Sequence, residues 1–127
     1  MDFPSFETCK RLAAAGWPQD PKGPTREFWI KLHDGRDSLV TAHDLLYFAD
    51  DERARSYAAP TIGDMLAEIP RRGWGVFMEH KRDRTNQKYE YSWRINYKVG
   101  HHAMTRNPDP AEALALVLCQ ALESVKP

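Results

Sequence analysis

Long apolar runs are missing from this sequence, and so is a surplus of either charge. No stretch reaches the length of a membrane-spanning helix, and no basic start leads into an apolar segment near the N-terminus. A secretory leader or membrane anchor is therefore not expected. Lys plus Arg (18) equals Asp plus Glu (18), so no global field favours duplex nucleic acid or an anionic bilayer. Only two cysteines occur, Cys9 and Cys119, far apart and at helix-like positions. Geometry allows a disulfide, but two buried thiols in a reducing cytosol is the favoured reading. There is no HExxH, CxxC or His-x-His, and adjacent His101 and His102 would point apart on an extended chain. No GxSxG surrounds a serine, and Gly73-Trp74-Gly75 is not followed by the basic residue and helix of a phosphate loop. The acidic run Asp50-Asp51-Glu52 reads as a solvated loop rather than a paired-carboxylate site. No catalytic residue, metal or cofactor is expected, and the expected location is the cytoplasm.

What is present is globular: 42% hydrophobic and 11% aromatic residues suffice for one core, so residues 1–127 are read as a single domain. The clearest stretch is Lys88 to Val99. Tyr89, Tyr91, Trp93, Ile95, Tyr97 and Val99 share one parity, and Lys88, Glu90, Ser92, Arg94, Asn96 and Lys98 share the other. Such alternation marks a half-buried strand. Trp74 to His80 supplies its hairpin partner, across the polar link KRDRTNQ.

Ser5 is placed to cap a helix from Phe6 to Ala15 that Gly16 ends, and Trp17 folds back. Phe28, Ile30 and Leu32 alternate with polar or larger neighbours and predict a strand, turned at Asp34-Gly35 into a partner over Ser38 to Ala42. His43 to Ala59 is read as a strand through Phe48 followed by a loop. Thr61 and Asp64 form a capping box for a helix carrying Ile62, Met65, Leu66 and Ile69, which Pro70 is expected to stop. HHAMTRNPDP is read as a connector. Asp109-Pro110-Ala111-Glu112 then starts a helix, with Glu112 reaching back to its own cap and Leu114, Val117, Leu118, Ala121, Leu122 and Val125 along one stripe. The fold expected is α+β in the order α-β-β-α-β-β-α: an antiparallel sheet of two hairpins with helices packed on one face.

A basic excess lies in residues 61–100. Arg71, Arg72, Lys81, Arg82, Arg84 and Lys88 flank or fill the second hairpin's loops, near Trp74 and Trp93. Guanidinium groups beside aromatic faces suit phosphate and base contacts, although basic loop ends also simply keep strands soluble. The candidate ligand site is Arg71, Arg72 and Trp74 with His101, His102 and Arg106, at the end of the hairpin where the outgoing strand finishes.

Trp17-Pro18-Gln19, the stretch AAPTIGDMLAEIP from Ala58 to Pro70, and NPDPAEALALVL together resemble a group of short bacteriophage and prophage proteins with F/W-P-Q, AAPT-x4-L-x2-L/IP and NP-x2-AL segments. Here Gly63 stands where a stronger helix former is expected, and NPDP lengthens the usual NP. The resemblance implies a small binding protein in a bacterial host cell. It would block a host defence by taking up a nucleotide-type signal or by binding a host protein. It transfers no site residue. Two alternatives stand beside it: a small hydrolase or transferase of phosphate compounds using His and Arg, and a homo-oligomeric accessory protein with no ligand.

Overall fold

In the structure, a computed structural model, residues 2–82 and 89–125 are described. The first helix, α1 (Phe6–Ala15), begins at Ser5, whose hydroxyl accepts from the Thr8 amide, and ends at Gly16. Gly16 has φ 109°, a left-handed conformation that costs glycine nothing. Trp17 then turns inward and is 1% exposed, its indole N–H donating to Thr25 Oγ1 at 2.9 Å. The connector is also tied down by Gln19, whose amide nitrogen donates to Trp17 O (2.9 Å) while its oxygen accepts from the Ala58 amide (2.8 Å).

Strands β1 (Glu27–Lys31) and β2 (Asp37–Thr41) form the expected first hairpin. The following region departs from the expected strand and loop. It holds two single-turn helices, α2 (Ala42–Leu45) and α3 (Asp50–Arg53), and a three-residue strand, β3 (Ser56–Ala58). Thr41 is the cause of the first turn, because its hydroxyl accepts from the Asp44 amide and bends the chain out of the sheet. β3 pairs with the free edge of β1, giving a sheet of order β2-β1-β3.

Helix α4 (Ile62–Arg71) has the predicted Thr61–Asp64 capping box and buries Met65 and Ile69. Pro70 does not stop it. The proline removes one donor from the last turn, yet helical backbone runs on to Arg71, and Gly73, at φ 78°, makes the actual exit. Strands β4 (Gly75–Arg82) and β5 (Tyr89–Lys98) form the long antiparallel hairpin. The link at residues 83–88, including Arg84 and Lys88, lies outside the described residues.

The segment read as a connector is a third strand, β6 (His101–Asn107), giving a second sheet of order β4-β5-β6. Its turn places Val99 in solvent, 98% exposed, although parity had assigned it to the covered face. A register shift between Asn96 and Lys98 breaks the alternation there. Helix α5 (Pro110–Val125) follows, with Asp109 Oδ1 accepting from the Ala111 amide at 3.0 Å; its stripe is buried through Leu122, whereas Val125, in the last turn, is exposed.

The α+β class and the order of principal elements therefore hold, with antiparallel hairpins each extended by one strand into a separate three-stranded sheet. One buried cluster joins both sheets to the helices: Phe28 and Ile30 from β1, Trp93 and Ile95 from β5, Met65 and Ile69 from α4, and the stripe of α5. Tyr91 and Tyr97 pack on its margin. No described helix is long and apolar enough to cross a membrane.

Glu112 does not reach back to its own cap. Its carboxylate accepts from the Ser5 amide (2.7 Å), from Thr8 Oγ1 (2.5 Å) and, at 3.4 Å, from Ser5 Oγ. The first turn of α5 thus anchors the first turn of α1, where a negative group also suits the helix dipole.

Candidate functional site

Strand pairing decides which side chains share a surface. β4 and β5 align Gly75 with Asn96, Phe77 with Arg94 and Glu79 with Ser92; β5 and β6 align Asn96 with His102, Arg94 with Met104 and Ser92 with Arg106. Residues two apart point the same way. The intervening residues Trp93, Ile95 and Ala103 are buried in the core, so the outer face is a grid of three rows. These rows are Gly75–Asn96–His102, Phe77–Arg94–Met104 and Glu79–Ser92–Arg106, with adjacent rows about 7 Å apart and adjacent strands about 4.8 Å apart.

The first row, Phe77 and Arg94 of the second, and the β5–β6 turn form an open concavity of about 670 Å³, whose lining includes Phe77, Arg94, Asn96, Lys98, His101 and His102. That volume is in the range of small-molecule sites. Its walls carry two fixed cations, an amide, two imidazoles and the rings of Phe77 and Tyr97, and among the described residues no carboxylate lines it. The Phe77 ring lies beside Gly75, where a Cβ would stand in ordinary contact with Phe77 Cε2 at 3.5 Å. The Arg94 guanidinium lies over that ring, its Cζ 4.9 Å from the centroid. The pair is a planar cation held on an aromatic face and remains open to solvent, with Phe77 51% exposed.

The six residues expected to form the site are only partly brought together. Arg72 Cζ lies 5.5 Å from the Trp74 ring, Trp74 meets Tyr97 edge-on at 6.3 Å, and Tyr97 lies 6.3 Å from the His101 ring. This series crosses the sheet end from the exit of α4 to the start of β6. Trp74, however, is half-buried against the core, and Arg72 is partly neutralised by Glu68 at 3.5 Å. Arg71 is exposed and makes no ion pair or ring contact among the described residues. His102 belongs to the concavity's row. Arg106 is four residues further along β6, about 13 Å away, and does not reach that end.

Phe77, Arg94, Asn96 and Met104 were missed as site residues. Arg94 and Asn96 did lie on the polar parity of β5. Phe77 and Met104 join them only once the three strands are in register.

Elsewhere the chemistry is quiet. Glu52 accepts from the Ala49 amide and lies 3.8 Å from His33, in an exposed turn where Asp50 pairs with Arg53. Both cysteines are free and buried. Burial pushes the Cys9 and Cys119 thiols up to about 12, which leaves them protonated and unreactive at neutral pH. Among the described residues no three of His, Cys, Asp and Glu converge on a metal-sized site.

The segments behind the phage resemblance do structural work. Gln19 ties Trp17 to β3, Thr61 caps α4, and Asn107 Oδ1 accepts from the Asp109 amide at 2.9 Å before α5. Compared with family models, curated proteins and solved structures, the chain matches none.

Proposed function

We propose that this chain is a non-catalytic binding protein that takes a nucleotide-type ligand in the concavity on the outer face of the β4-β5-β6 sheet. The observation that carries this reading is the exposed Phe77–Arg94 pair, in a concavity that His102 and Lys98 complete and that no carboxylate lines among the described residues. A guanidinium and an ammonium suit phosphate oxygens, a planar ring stacks on a base, and Asn96 offers both a donor and an acceptor to a base edge. Catalysis would need an acid or base held in orientation by a partner; His101 and His102 line the concavity, and no hydrogen bond among the described residues orients either ring, so the groups are suited to holding rather than converting.

The setting follows from the W-P-Q, AAPT and NP segments alone: a phage or prophage protein in the bacterial cytoplasm that sequesters a nucleotide signal of a host defence. Capture of a host protein is the competing outcome.

Isothermal titration with nucleoside monophosphates and cyclic nucleotides tests the site. Arg94→Ala and Phe77→Ala should each weaken binding about tenfold or more, the loss expected for a charge-assisted or stacking contact. Their melting curves should stay at the parent's, since both side chains are exposed. Arg71→Ala should leave affinity unchanged. Failure of every nucleotide to bind, or equal loss from Arg71→Ala and Arg94→Ala, overturns the reading.

A further inference from the structure

We infer that the outer face of the β4-β5-β6 sheet receives a single-stranded polynucleotide, with its backbone along β5 and β6 from His102 past Arg94 to Arg106 and its bases turned toward Phe77. This rests on the nucleotide-type reading above and specifies it: the ligand is a strand rather than a mononucleotide.

The register is the first reason. It puts one hydrogen-bonding side chain suited to a phosphate in each row: the His102 imidazole, then the Arg94 and Arg106 guanidiniums. Successive rows are about 7 Å apart, so the series covers about 13 Å, more than one phosphate can bridge. A chain of phosphates matches such a ladder.

The middle row is the second reason. Phe77, Arg94 and Met104 lie side by side across the three strands, with Phe77 51% and Met104 52% exposed. A strip of ring, guanidinium and thioether about 10 Å wide offers stacking surface to unpaired bases. Keeping a sheet face solvated requires neither an exposed phenylalanine nor an exposed methionine next to it. A duplex, whose base faces are already stacked, leaves that strip without a use.

Charge gives the direction. Arg11, Lys31, Arg36, Arg53 and Arg72 each lie against a carboxylate. Arg94, Lys98 and Arg106 have no such partner among the described residues. The carboxylate in Arg106's row, Glu79, stands two strands away on β4. Phosphates are therefore drawn to the β5–β6 side, where Arg94, Lys98 and Arg106 stand, with Phe77 beside Arg94 to meet the bases.

The test is fluorescence anisotropy with a labelled random-sequence single strand of about eight nucleotides, within the footprint such faces cover. Mixed nucleoside monophosphates and the matching duplex serve as competitors. The single strand should bind at least about tenfold tighter than the monophosphates, and its affinity should fall with salt at a slope of roughly −0.7 per phosphate neutralised. Arg106→Ala should weaken the strand about tenfold without changing monophosphate binding, whereas Phe77→Ala should weaken both. Monophosphates binding as tightly as the strand overturn the strand proposal and leave the nucleotide site standing. So do an Arg106→Ala protein that holds the strand like the parent and a duplex that competes equally. Binding of neither ligand overturns both.

Discussion

Removing the Glu112 carboxylate should loosen the joint between the two ends of the chain. Its oxygens accept from the Ser5 amide at 2.7 Å and Thr8 Oγ1 at 2.5 Å, with Ser5 Oγ further off at 3.4 Å. Thr8 is 6% exposed, so Glu112→Ala gives its hydroxyl little access to replacement water. A hydrogen bond to an ionised group contributes about 1.5–3 kcal/mol, and the two short ones are both lost. Ser5 can recover part of this from solvent, being only half-buried, so we expect a net cost of about 2–4 kcal/mol. For a domain of this size that lowers Tm by roughly 10 °C. Glu112→Gln keeps the shape. Its oxygen can face the Ser5 amide while its NH₂ donates to Thr8 Oγ1, which as a hydroxyl can accept, so the cost should fall to about half. The assay is thermal and urea unfolding of Glu112→Ala, Thr8→Val and the double variant. A coupling energy of at least about 1 kcal/mol is expected in the cycle. Glu112→Ala melting within about 1 °C of the parent, or strictly additive single effects, would refute the reasoning.

The remaining predictions concern the core and the thiols. Trp93→Ala and Leu118→Ala should each cost about 2–5 kcal/mol, because both side chains are buried where β5 meets α5 and the Trp93 indole also donates to Pro110 O at 3.1 Å; unchanged melting of both would show that the face is wrongly assigned. The folded thiols keep their protons up to about 12, against an ordinary value of 9.0. Unfolding between those pH values therefore releases protons from the thiols, and their contribution to stability, fully present below pH 9.0, should be lost as pH rises toward 12. The Cys9→Ala/Cys119→Ala protein should lose part of that alkaline slope and keep its ligand binding; an unaltered slope in urea titrations at increasing pH would show that the thiols titrate normally in the folded state.

Elements were legible in the sequence where a local signal and the tertiary role coincide. Ser5, Thr61 and Asp109 cap helices by bonds within three residues of themselves, and α5 needs a full stripe because β5, β6, α1 and α4 all pack against it. β6 was illegible for the opposite reason. Its inward parity is Ala103, Thr105 and Asn107, small or polar residues that let α5 lie close, and Thr105 Oγ1 donates to the Ala113 carbonyl at 2.6 Å. A strand that buries one methyl group and hydrogen-bonds a helix carbonyl shows no hydrophobic alternation. The 43–59 region failed through length: a single helical turn never completes the period by which helices are recognised. Glu112 failed because its partners lie more than a hundred residues away in sequence.

The site was legible in kind and not in place, and the missing β6 accounts for both. With HHAMTRN read as a connector, its histidines and Arg106 could be gathered at one end of the hairpin beside Arg71 and Arg72. As a strand, the same residues are fixed at intervals along an edge, and Arg106 is carried two rows from His102. The pairing that separates them also makes the outer face, since Met104 comes beside Arg94 and Arg94 beside Phe77 only through the β4–β5 and β5–β6 registers. Charge and aromatic content could be counted in the sequence, but adjacency across strands depends on register, and a slip of one residue would turn Phe77, Arg94 and Met104 into the core. Burial of Trp93, Ile95 and Ala103 is what forbids that slip. The core therefore fixes which groups the outer face presents.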